Sequence, residues 1–107
     1  MSYEARFIKK SDRKEEVAYF RCSASDYSVA YSLLDVINAP QEWYQHSSFP
    51  LVTKEMNKDS LEKALSFAKK SGPDYYIGDK PYYVVRDVLQ TACDSLSYED
   101  KVIVELY

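Results

Sequence analysis

Tyr3, Ala5 and Phe7 alternate with Glu4 and Arg6. This period of two puts the apolar side chains on one face of an extended segment and predicts a first strand over residues 2–9. Residues 10–14 (Lys-Ser-Asp-Arg-Lys) form a polar turn. Residues 16–22 (Glu-Val-Ala-Tyr-Phe-Arg-Cys) read as a second strand, rich in aromatic and β-branched types. So short a connection makes the pair an antiparallel hairpin. The period then changes. Ala30, Leu33, Leu34 and Ile37 recur at helical spacing. They follow Ser25 and Asp26, either of which can cap a helix by accepting a backbone N–H. Asn38, Ala39 and Pro40 end this first helix.

Residues 41–56 keep no clear period and are read as irregular. Phe49 to Thr53 is a candidate short strand, which Pro50 confines to a sheet edge. The next helix is better marked. Leu61, Ala64, Leu65 and Ala68 form its apolar stripe. Asp59 and Glu62 have the spacing of a capping box. Lys69 and Lys70 suit the negative end of the dipole, and Gly72 with Pro73 closes the helix. A third helix is expected from Pro81, whose fixed φ suits a first turn. Val84, Val85, Val88, Leu89, Ala92 and Leu96 would be its buried face. Lys101 to Tyr107 reads as a final strand. The expectation is a single α+β domain over residues 1–107. It has a small, mainly antiparallel three-stranded sheet in the order β-β-α-α-α-β, with helices packed on one face.

Composition adds a surface to this frame. Eleven of the 107 residues are Tyr, against two Gly and one His. So few glycines exclude a phosphate loop or a dinucleotide fold, which need close backbone approach to an anion. Tyrosine offers a rigid apolar face with a polar tip, at low conformational cost. Four of the eleven, Tyr75, Tyr76, Tyr82 and Tyr83, lie between Pro73 and Tyr83 and cannot all point inward. Trp43 and Tyr44 belong to the irregular segment and can join them in space. Interface hot spots favour Trp and Tyr. Trp43, Tyr44, Tyr75, Tyr76 and Tyr82, with Asp74 and Asp79, are therefore the candidate partner-binding residues.

Charge is unevenly placed. The net charge is −3, yet residues 1–14 hold five bases against two acids, and residues 22–53 contain no Lys or Arg. An acidic balance argues against a dedicated nucleic-acid binder and is compatible with a basic protein partner. Lys9, Lys10, Arg13 and Lys14 are the one basic cluster. At a hairpin tip they can meet phosphates, although a solvated turn is the simpler explanation.

Chemistry is sparsely signalled. Cys22, His46 and Cys93 are too far apart for zinc-ligand spacing, so no metal or cofactor is predicted. His46 is the only imidazole available for acid–base work and reads as a loop histidine. Asp74 and Asp79 beside tyrosine faces have the make-up of a sugar-cleaving carboxylate pair, but turn and cap duties explain both. No apolar run reaches membrane-span length and no secretory leader is evident, so a cytoplasmic protein with free thiols is expected. These readings favour a non-enzymatic interaction protein, inhibitory or regulatory, acting as monomer or homodimer. The alternative is a small ligand-binding domain or enzyme using Tyr hydroxyls, His46 and Asp74 or Asp79. A nucleic-acid adaptor using residues 9–14 comes third.

Overall fold

Ala5 and Phe7 of β1 (Ser2–Lys9) stand opposite Phe20 and Ala18 of β2 (Glu16–Ser23), so the apolar sets of the two strands share one face. The same face continues through Val102, Val104 and Leu106 of β6 (Lys101–Leu106), which runs antiparallel beside β1. The computed structural model describes residues 2–13, 15–45 and 52–107, without the side chains of Tyr44 and Gln45. Its elements in chain order are β1, β2, α1 (Tyr27–Ile37), α2 (Gln41–Gln45), β3 (Val52–Asn57), α3 (Lys58–Lys70), β4 (Tyr75–Ile77), β5 (Lys80–Tyr82), α4 (Val84–Asp94) and β6.

The architecture is α+β, as the sequence predicts, but the main sheet has four strands, in the order β2-β1-β6-β3, all antiparallel. The added strand, β3, hides from pattern reading because Lys54 occupies a helix-facing position between Val52 and Met56. The half-buried Lys54 side chain runs from the sheet edge to the end of α1, where its Nζ donates to the Asn38 carbonyl at 3.0 Å. The site suits a cation, because helix C-termini carry unsatisfied carbonyls. Phe49 and Pro50 lie outside the described residues, and β3 is an edge strand.

Helices α1, α3 and α4 cover the apolar face. Leu33, Leu61 and Leu89, one from each, are fully buried with Phe7 and Phe20. Burial of this kind stabilises by about 25 cal/mol per Å² of apolar surface removed from water. The opposite sheet face stays wet and is neutralised by its own charges. Arg6 meets Glu16 at 2.7 Å and Glu105 at 3.8 Å, Lys10 meets Glu55 at 2.5 Å, and the Tyr19 hydroxyl donates to Glu4. One dry and one solvated face is the usual economy of an antiparallel sheet.

Several helix ends differ from expectation. Neither Ser25 nor Asp26 caps α1 with its side chain. Ser23 instead accepts from the Ser25 N–H and opens a 3₁₀ turn, Ala24–Asp26, ahead of α1. The capping box of α3 is Asn57 with Ser60, because β3 runs directly into the helix and Asn57 is the last extended residue. Pro81 does not start a helix; it lies in β5, and α4 begins at Val84. Gly72, at φ 76, closes α3 in the left-handed conformation that glycine tolerates.

Candidate functional site

The tyrosine-rich stretch folds as a β-ribbon that the sequence reading misses. Tyr75 pairs with Tyr82, Tyr76 with Pro81 and Ile77 with Lys80, leaving the two-residue turn Gly78-Asp79. Gly78 has φ 60 and Asp79 does not share the positive φ, as a type II′ turn requires. The ribbon is separate from the main sheet and contributes nothing to the core. Tyr76 and Ile77 are 62% and 63% exposed, Tyr75 is exposed, and Tyr82 is half-buried. What orders the ribbon is its own surface. The Tyr75 and Tyr82 rings stack at 5.1 Å with planes 7° apart, and Lys80 Nζ stands 5.4 Å from the Tyr82 ring centroid. Such contacts contribute on the order of 0.5–1.5 kcal/mol each.

Asp74 ties the ribbon to the body. Its N–H donates to the Tyr82 carbonyl at 2.8 Å, and its Oδ2 accepts the Val85 N–H at 3.0 Å, capping α4. A carboxylate so engaged holds the base of the ribbon rather than offering a contact surface. Asp79 sits exposed at the turn, so the structure does not join it to Asp74 as an acid–base pair. Beside the base, Tyr83 carries the Arg86 guanidinium over its ring at 3.7 Å.

Trp43, expected on the partner-binding surface, is placed elsewhere by the structure. It is 2% exposed and belongs to the core, not to a docking surface. Its Nε1–H donates to the backbone oxygen of Tyr107 at 2.8 Å. Its ring meets Tyr3 edge-on at 5.8 Å and Phe20 at 6.3 Å. Short helix α2 folds over the sheet end and delivers the indole there. The Tyr44 side chain, His46 and Lys14 lie outside the described residues. The rest of the basic cluster is spent on acids. Lys9 lies 3.5 Å from Glu15 and 3.6 Å from Asp100, Lys10 pairs with Glu55, and Arg13 reaches Glu105 at 4.0 Å.

Two clefts flank the ribbon. One, of about 550 Å³, runs between Arg21, Cys22 and Ser23 of β2 and Tyr75 and Tyr76 of β4, with Val29 and Val84 also lining it. Burial pushes the Cys22 thiol up to about 11, so at neutral pH it is a protonated, weakly nucleophilic wall. The other, of about 240 Å³, is lined by Tyr31, Asp35, Asp74, Tyr83 and Arg86 among others. Gly-Asp between two short runs was the available signal for the ribbon. Nothing in the local sequence marks Arg21, Asp26 or Val84 as its neighbours. Among the described residues no helix is long and apolar enough to cross a membrane. Set against family models, curated proteins and solved structures, the chain gives no match.

Proposed function

We propose that this chain is a non-enzymatic docking protein, inhibitory or regulatory, that engages another protein through the Tyr75–Tyr82 ribbon. The observation that carries the reading is the exposure of Tyr76 and Ile77 on a ribbon that adds nothing to the core. Large apolar side chains held rigidly in water, with stacked tyrosines behind them, have the make-up of an interface hot spot. Asp79 and Lys80 at the tip, and Asp26 and Arg21 beside the larger cleft, put both signs of charge around the ribbon and suit a partner of complementary charge pattern. The test is capture of partners from the native host by wild type and by a Tyr75→Ala/Tyr76→Ala variant of verified fold. Loss of a specific partner by the variant is expected. A folded variant that retains every partner removes the ribbon from the binding surface.

The ligand-pocket alternative has the smaller cleft in its favour, since Tyr31, Asp35, Asp74 and Tyr83 converge there. Its volume of about 240 Å³ falls below the roughly 300–1,000 Å³ of ordinary small-molecule sites, and the cleft of about 550 Å³, which reaches that range, is lined by neither Asp74 nor Asp79. Asp74 is already committed to Val85, so the docking reading is preferred.

A further inference from the structure

We infer that the larger cleft is a strand slot: an extended segment of a partner protein enters between β2 and β4 and hydrogen-bonds to both. This rests on the docking reading and specifies how the partner is held.

Side chains alternate between the two faces of a strand. Arg21 and Cys22 point to opposite faces of β2, yet both line the cleft, so the cleft lies along the strand's edge. Tyr75 and Tyr76 are likewise consecutive and both line it, which places the edge of β4 on the other side. These are free edges among the described residues. Strand β2 is outermost in its sheet, and β4 pairs only with β5.

The backbone groups on those edges can be identified. Glu4 exchanges hydrogen bonds with Tyr107 on the β6 side of β1. Its neighbours Tyr3 and Ala5 must therefore face β2, where they meet Cys22 and Phe20. Arg21 then directs its N–H and C=O outward, into the slot, and Ser23 its N–H, while the Ser23 carbonyl opens the 3₁₀ turn Ala24–Asp26. On the ribbon, the Tyr82 carbonyl points inward to Asp74, so the next pair, Tyr76 and Pro81, points outward. Tyr76 presents both a donor and an acceptor to the slot. Pro81 has no N–H, which blunts the far edge of β5 and leaves β4 as the side open to pairing.

The lining defines the occupant. Val29, Val84 and the protonated Cys22 favour apolar side chains on one side of the incoming strand. Arg21 and Asp26 are both exposed and join no ion pair among the described residues, so an acidic and a basic residue of the partner match them. The segment is thus a strand of alternating apolar and charged residues, held mainly by main-chain hydrogen bonds.

Random peptides of about ten residues, the length of a long strand, displayed on phage and selected on the immobilised protein, provide the probe. Expected are peptides of alternating pattern that slow amide exchange at Arg21, Ser23 and Tyr76. Their binding falls about tenfold or more in Tyr76→Pro, which removes the outward donor, and persists in Tyr76→Phe. The exchange measurement on wild type holds whatever Tyr76→Pro does to folding. No selectable peptide, or peptides that protect none of the three amides, overturns the slot. Peptides lost in Tyr75→Ala/Tyr76→Ala without that protection overturn the slot and keep the docking reading. Peptides indifferent to the double substitution that protect none of the three amides overturn both, and indifferent peptides that still protect them keep the slot and remove the tyrosine rings from the binding surface.

Discussion

At the scale of single residues, Trp43 and Tyr76 divide the aromatic content into structural and exposed parts. Both are large aromatics in segments lacking a clear period, yet one is 2% and the other 62% exposed. The difference lies in partners distant along the chain. The indole reaches Tyr107, 64 positions away, and packs on Tyr3 and Phe20. Trp43→Ala is expected to cost about 3–5 kcal/mol of stability, read from urea unfolding. Unchanged stability would remove the indole from the core. No local pattern could announce this, because Trp43 is buried by what α2 folds across. The exposure of Tyr76 is more readable, since Tyr75-Tyr76-Ile77 has no alternation and the paired ribbon lies outside the main core.

Among the elements, the ones legible in sequence are those with a single buried face. Strands β1, β2 and β6 and the stripe of α3 show their period because each buries one side and wets the other. Strand β3 is obscured by Lys54, whose stem replaces an apolar side chain at an inward position. The start of α4 is misplaced because Pro81 suits an exposed ribbon edge as well as a helix start. Gly78 governs the ribbon. A Cβ there would meet nothing within 4 Å, so Gly78→Ala is penalised only by its φ of 60. That strain is roughly 1–2 kcal/mol. Since the ribbon adds nothing to the core, the cost should appear as faster amide exchange at Ile77 and Lys80, with global unfolding unchanged. A matching loss of global stability would mean that ribbon and core unfold as one unit.

For the whole molecule, charge is organised by cancellation rather than by field. The basic turn that suggests nucleic acid is met by Glu15, Glu55, Asp100 and Glu105, which arrive from four places in the sequence. Such exposed pairs add little stability, about 0–1 kcal/mol each, but they remove a patch able to displace counterions from a duplex. Labelled duplex DNA is therefore expected to stay unbound even at about 50 mM salt, followed by fluorescence anisotropy. Saturable binding there would return the adaptor reading to first place.

The proline in β5 has a consequence for growth. A two-stranded ribbon with both borders open could recruit copy upon copy into a cross-β stack. Here one border lacks the donor such stacking needs, and the other faces the wall of the molecule's own sheet. On the proposed slot, a strand lodged there fills the ribbon's last open border, so recruitment through the ribbon ends at a stoichiometry of one.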